Sequence, residues 1–211
     1  MLLGEGRTFF AGADISEFGK PMLSPDLNEV INFFENCKKP IVAALHGTPL
    51  GGGLELAMGC HYRVSLNSTR LGLPEVKLGI IPGAGGTQRL PRLAGIDKAL
   101  SMITSGNPIS AKEALKHGIV EEIYDDALLA NAINFIKNKI NNHTHPRTKD
   151  INDKISNIDD SIFEKHIEKT KNKYRGRNSP LSAIEAIKET TNLDFDNGLK
   201  KERELFKFCH D

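Results

Sequence analysis

At 211 residues the chain fits one large domain, or a domain with a small appendage. Hydrophobic residues make up 39% and charged residues 26%, which is ordinary for a globular protein with a real core. A formal net charge of +1 gives no global pull toward nucleic acid, a membrane surface or acidic partners.

In chain order, residues 39–45 (KPIVAAL) are short, apolar and closed by His46-Gly47, and they read as a buried strand. A turn of three glycines, Gly51 to Gly53, leads into a helical stretch, LELAM. Residues 62–66 form a second extended run, and a further Gly-rich element at residues 82–87 (PGAGGT) precedes a helix. Residues 99–105 and 111–117 read as helices, and residues 118–120 resume an extended path. Asp125 and Asp126 then open an amphipathic helix to about Ile140, with acidic residues suitably placed at its start. Alternating strands and helices predict an α/β layer architecture for residues 1–140.

Composition shifts at Asn141. Residues 141–160 are polar and read as a linker, followed by a helical region over residues 161–211. Helices are expected at residues 161–174, from Ser179-Pro180 with Ser179 as the cap, and at residues 195–208. Residues 137–178 carry 11 Lys/Arg against 6 Asp/Glu, which suits either a solvated face or a contact with nucleotide phosphates. Cys37, Cys60 and Cys209 are odd in number, widely spaced and outside any CxxC arrangement. A reducing compartment is the simplest reading, and the cytoplasm is expected. MLLGEGRTFF lacks the make-up of a signal peptide, and no apolar run approaches the roughly 20 residues of a membrane span.

Neither Gly-rich element is a GxGxxG fingerprint or a Walker A loop, so a nicotinamide enzyme and a nucleoside-triphosphatase are disfavoured. Each lies beside a glutamate in apolar surroundings: Glu55 within LELAM and Glu75 within GLPEV. Apolar neighbours disfavour the charged carboxylate and move its pKa toward neutrality, where acid–base catalysis works. The residues alone leave alternatives open. Glu55 also suits a helix dipole, and Glu75 a surface strand end.

Three segments carry a resemblance. They are Phe10-Ala11-Gly12-Ala13-Asp14-Ile15, residues 46–57 (HGTPLGGGLELA), and residues 71–76 (LGLPEV) running on through residues 81–90 (IPGAGGTQRL). In order and spacing they resemble the signatures of the crotonase (enoyl-CoA hydratase/isomerase) superfamily. The His-Gly-Thr form of the second segment is similar to bifunctional members, which carry a 3-hydroxyacyl-CoA dehydrogenase portion. So is the C-terminal run from Pro180 through Gly198 and Glu202 to Phe206. The resemblance implies a crotonase-like spiral of β–β–α units with a C-terminal helical region. It also implies an N-terminally truncated chain, since only residues 1–10 precede the AGAD element.

For function, the resemblance implies hydration of trans-2-enoyl-CoA in fatty-acid β-oxidation, with 3-enoyl-CoA isomerisation beside it. Glu55 and Glu75 are then the catalytic pair. The backbone N–H groups of Ala13 and Gly52 form the oxyanion hole, and the Gly83 N–H holds the attacking water. Coenzyme A, itself part of the substrate, is held by Ala11, Ala13, Asp14 and Ile15. The family's phosphate-facing lysine is Ser16 here, with Lys20 as a substitute. Asp14 holds the turn, His46 is structural, Arg89 anchors its helix, and His143 and His145 are solvated. No metal, redox cofactor, nucleic acid or membrane partner is implied. A trimer-type homo-oligomer or an attached dehydrogenase portion is. A non-catalytic acyl-CoA-binding module and another crotonase reaction remain the alternatives.

Overall fold

The computed structural model describes residues 1–12, 24–142 and 144–210 of the protein. Among these residues, four parallel strands form the main sheet in the order β1 (Leu2–Leu3), β2 (Val42–Leu45), β3 (Tyr62–Leu66) and β6 (Glu122–Tyr124). The register sets Ala43 beside Arg63 and Val64 beside Glu122. Every residue of β2 is fully buried, which explains its unbroken apolar run: a parallel strand covered on both faces has no solvent side to alternate with.

A strand, a short extended piece and a helix recur. After β2, Leu50 bridges to Gly72, and α2 (Gly52–Met58) follows. After β3 comes β4 (Arg70–Leu71), then a 3-10 turn (Glu75–Leu78), α3 (Gly86–Ala94) and α4 (Ile96–Ser105). The strand β5 (Ile109–Ser110) closes an antiparallel pair with β4, and α5 (Ala111–His117) leads on to β6. Leu54, Leu71, Leu90, Leu100 and Ile187 share one apolar core that runs from the sheet to the C-terminal helices. The α/β layering is as the sequence predicts.

Several boundaries differ from the sequence reading. The extended path expected at residues 118–120 pairs later, at β6, because Gly118 ends α5 in the left-handed conformation and Ile119 and Val120 turn into the core. Asp125 and Asp126 do not cap α6 (Leu128–Lys137). Ala127 intervenes at φ 48°, and Asp125 instead accepts from the Asn67 side chain at 3.0 Å. Helix α1 (Leu27–Glu35) begins with a capping box in which Asp26 accepts from the Glu29 N–H and Glu29 accepts from the Asp26 N–H.

The polar segment 141–160 is tied down at several points. The Thr148 hydroxyl donates to the Met58 carbonyl at 2.8 Å, and Ile155 is buried. Beyond it lie α7 (Ser161–Lys173), α8 (Ser179–Lys188) and α9 (Phe195–His210). Ser179 is the first residue of α8 rather than its cap, and its hydroxyl donates to the Val76 carbonyl at 3.3 Å. His145 is not simply solvated: its ring packs edge-on against His61, with centroids 5.4 Å apart.

Candidate active site

The three motif segments meet at their glycines. A Cβ on Gly53 would strike the Phe10 carbonyl, and one on Gly51 would lie 3.8 Å from the Gly12 Cα, so the first segment passes directly over the second. The Gly51 N–H donates to the Gly72 carbonyl at 3.0 Å, which ties the second segment to the third. Gly51 sits at φ 52°, ψ −131°, a conformation that side chains resist, and it turns the chain sharply into α2. Gly52 is the first residue of that helix, where N–H groups have no partner within the helix. Ala11, between Phe10 and Gly12, is exposed, whereas Ala13, Asp14, Ile15, Ser16 and Lys20 lie outside the described residues.

Glu55 does not serve its own helix. Its Oε1 accepts from the N–H groups of Ala84 and Gly86, each at 2.8 Å, at the start of α3. The residue is 3% exposed. Burial raises its pKa above the usual carboxylate value, opposed by those two N–H groups and by the charges of Arg89 and Arg203. Glu75 has less support, from its own backbone N–H. Its Oε1 lies 3.1 Å from where a Gly51 Cβ would stand, and its buried Oε2 has no hydrogen-bond partner. Burial first, and then the charges of Glu55 and Glu202, hold its pKa well above the ordinary range. It opens a 3-10 turn over the glycine turn rather than ending a surface strand.

Around this pair, Arg89 is locked in a buried salt bridge to Glu35 at 2.7 Å and donates to the Ala84 carbonyl at 3.2 Å. It anchors the loop as well as the helix. The Gly83 carbonyl accepts from Asn28 at 3.4 Å, and the Phe206 ring lies against Gly83. His46 contacts the Gly6 carbonyl at 3.2 Å, a structural role. A cleft of about 880 Å³ lined by Arg92, Asp160, Phe195 and their neighbours contains neither carboxylate.

Over residues 1–198 the chain matches the family described as enoyl-CoA hydratase/isomerase. It belongs to that family.

Among curated relatives, the peroxisomal bifunctional enzyme of Cavia porcellus is 40% identical over 211 residues, 98% of this chain and 29% of the relative. A probable enoyl-CoA hydratase of Bacillus subtilis is 54% identical over 124 residues, 56% of this chain and 48% of the relative. The chain thus spans less than a third of the first relative and about half of the second. Two enoyl-CoA hydratase crystal structures share the fold. That of Thermoplasma volcanium is 26% identical with TM-score 0.59, covering 98% of this chain and 71% of that one. That of Bacillus anthracis is 32% identical with TM-score 0.55, covering 93% of this chain and 66% of that one. The chain therefore has the crotonase fold of the enoyl-CoA hydratase/isomerase family.

Sequence reasoning singled out Glu55 and Glu75, but it placed Glu202 only in the C-terminal run of the resemblance and gave it no part in the site. Glu202 of α9 is 1% exposed and lies at the same loop as Glu55. It accepts from the Gly85 N–H at 2.7 Å, the Thr87 N–H at 2.9 Å and the Thr87 hydroxyl at 2.5 Å. Burial, and then the charge of Glu55, push its pKa up to about 8. The available signal was the i, i+4, i+8 spacing of Gly198, Glu202 and Phe206 along an otherwise polar helix.

Proposed function

We infer that the chain is an enoyl-CoA hydratase acting in fatty-acid oxidation, with 3-enoyl-CoA to 2-enoyl-CoA isomerisation as a second activity. The observation that carries this reading is the unequal treatment of two buried carboxylates. Glu55 receives two N–H bonds that stabilise its charged form. Glu75 receives none on its buried Oε2 and feels the negative charge of its neighbours. Environments that push two carboxylates apart assign a base and an acid. Glu55, its charged form supported by the two N–H groups, takes a proton from the water that adds to C3. Glu75, its protonated form favoured by burial and by the charge of Glu55, delivers a proton to C2. Both then re-equilibrate with solvent.

Charge accumulates on the thioester oxygen during this step. The Ala13 and Gly52 N–H groups receive it, one such donor being worth roughly 3 kcal/mol. The Gly83 N–H steadies the water, and Ala11, Ala13, Asp14 and Ile15 are assigned to coenzyme A by the family resemblance. In isomerisation the ionised form of Glu75 takes the proton from C2 and returns it to C4 by itself. On this reading residues 1–140 hold the chemistry and the helices over residues 161–211 cover it.

The chemistry needs no cofactor beyond the coenzyme A of the substrate, so dialysis against a chelator should leave the rate unchanged. One relative is a peroxisomal bifunctional enzyme. A dehydrogenase portion in the parent protein is proposed on that likeness, with a trimer-type homo-oligomer, implied by the family resemblance, as the alternative. No helix among the described residues is long and apolar enough to cross a membrane. Cytoplasmic placement is proposed on the free cysteines, with the peroxisome as the alternative that cell fractionation separates.

The deciding experiment incubates the chain with crotonyl-CoA and with a 3-enoyl-CoA. Conversion of both supports the reading. Binding without turnover would replace it with an acyl-CoA-binding module.

A further inference from the structure

Four consecutive N–H groups at the start of α3 alternate between two glutamates. Ala84 and Gly86 donate to Glu55 of α2, while Gly85 and Thr87 donate to Glu202 of α9. Thr87 adds its hydroxyl to Glu202. The loop is thus held from both sides, and it cannot rotate without breaking bonds to both carboxylates together. We propose that Glu202 is the positioning residue for Glu55, clamping loop 84–87 so that Glu55 presents a fixed carboxylate to substrate. This rests on the reading of Glu55 as the catalytic base. Glu202 lies beyond the stretch, residues 1–198, that matches the family.

Three features support the clamp over simple capping of α3. First, Glu202 has company on its face of α9. Gly198 packs so tightly on Gln88 that a Cβ there would strike the Gln88 side chain, and the Phe206 ring would lie 2.7 Å from a Cβ on Gly83. Residues 198, 202 and 206 therefore grip the whole of loop 83–88 at helical spacing. Second, Gln88 donates to the Ala186 carbonyl at 2.9 Å, so α8 braces the same turn. Third, a cap needs only one acceptor, and a second carboxylate buried near the first is costly. The two Glu202 oxygens both accept, one from Gly85 and the other from Thr87. A glutamine would turn its NH₂ toward one of those N–H groups.

The test compares the full chain with Glu202→Gln, Thr87→Val, Glu55→Gln and, as a control, Glu204→Gln, an exposed residue paired with Lys201. Hydration of crotonyl-CoA and backbone amide exchange are both read. Glu202→Gln should lower kcat about 100-fold with KM within about threefold, the loss typical of a reacting group misplaced by about 1 Å. Exchange at Ala84 and Gly86 should rise at least about tenfold, while β2 and β3 keep their protection. Thr87→Val should do the same more weakly, about tenfold in kcat, and Glu204→Gln should change neither. Wild-type kcat with unchanged exchange at Ala84 and Gly86 would overturn the clamp, as would protection lost evenly across the fold. If Glu202→Gln does not fold, Thr87→Val decides by the same criteria. An active Glu55→Gln, or a wild-type chain without hydration, would defeat the catalytic reading of Glu55 instead, and the exchange pattern still decides the clamp.

Discussion

Replacing Gly86 by alanine inserts one methyl group between Glu55 and Pro82 without replacing any titratable group. The new Cβ would stand 2.7 Å from Glu55 Oε1 and 2.8 Å from the Pro82 Cβ. An ordinary contact begins near 3.4 Å, so the Glu55 carboxylate or the loop must give by about 0.7 Å, and Pro82 blocks retreat on the other side. Displacement of a catalytic group by about 1 Å costs on the order of 100-fold, so kcat for hydration should fall about 10- to 100-fold. KM should change little, since the methyl group points at the base. Overpacking should also lower stability by about 1–3 kcal/mol. The assay follows crotonyl-CoA consumption at saturating substrate, alongside urea denaturation. Wild-type kcat and an unmoved denaturation midpoint in Gly86→Ala would refute the placement of Glu55 against this loop.

Gly51→Ala should cost about 1–3 kcal/mol from its φ 52° backbone and crowd Glu75 as well, so a variant with wild-type melting temperature and rate would contradict the turn geometry. Arg89→Met leaves Glu35 buried without its cation, and urea denaturation should show a loss of about 3–5 kcal/mol; a loss below about 1 kcal/mol would mean the pair is not buried as described. The raised carboxylates make stability depend on pH. A carboxyl whose pKa rises on folding binds protons more tightly in the native state. Its contribution is therefore complete below the ordinary value of 4.5 and is lost as pH rises through the folded value, about 8 for Glu202. Between pH 5 and 8 the wild type should lose more stability than Glu202→Gln, and equal slopes would count against the shift.

What was legible in the sequence was local. The run VAAL and the glycine-flanked LELAM announce β2 and α2 because burial on both faces and a sharp turn leave plain compositional marks. Glu55 and Glu75 stood out because a carboxylate among apolar neighbours is rare. Two other features were not read, and the burial of a third, Glu202, was not foreseen. Strand β1 is two residues long and exists only through its pairing with β2. The Asp26/Glu29 capping box of α1 was overlooked, although its spacing was visible. Glu202 lies in KKERELF, where it resembles the charged surface around it. Its burial is decided by a loop more than a hundred residues earlier, which no local pattern reports. The expectations for Ala13, Asp14 and Ile15 lie outside the described residues.

The central claim is that Glu75 supplies and removes the proton at C2 while Glu55 activates the water, and the Glu75→Gln variant tests it most directly. Glutamine keeps the shape of the side chain and removes its titratable proton. Hydration of crotonyl-CoA should fall by about 10²–10⁴-fold with KM nearly unchanged. Glu55→Gln should match that loss in hydration yet spare more of the isomerisation. The double variant should be scarcely slower than either single one, because both groups serve one transition state. A Glu75→Gln enzyme that hydrates crotonyl-CoA at the full wild-type rate would contradict the account.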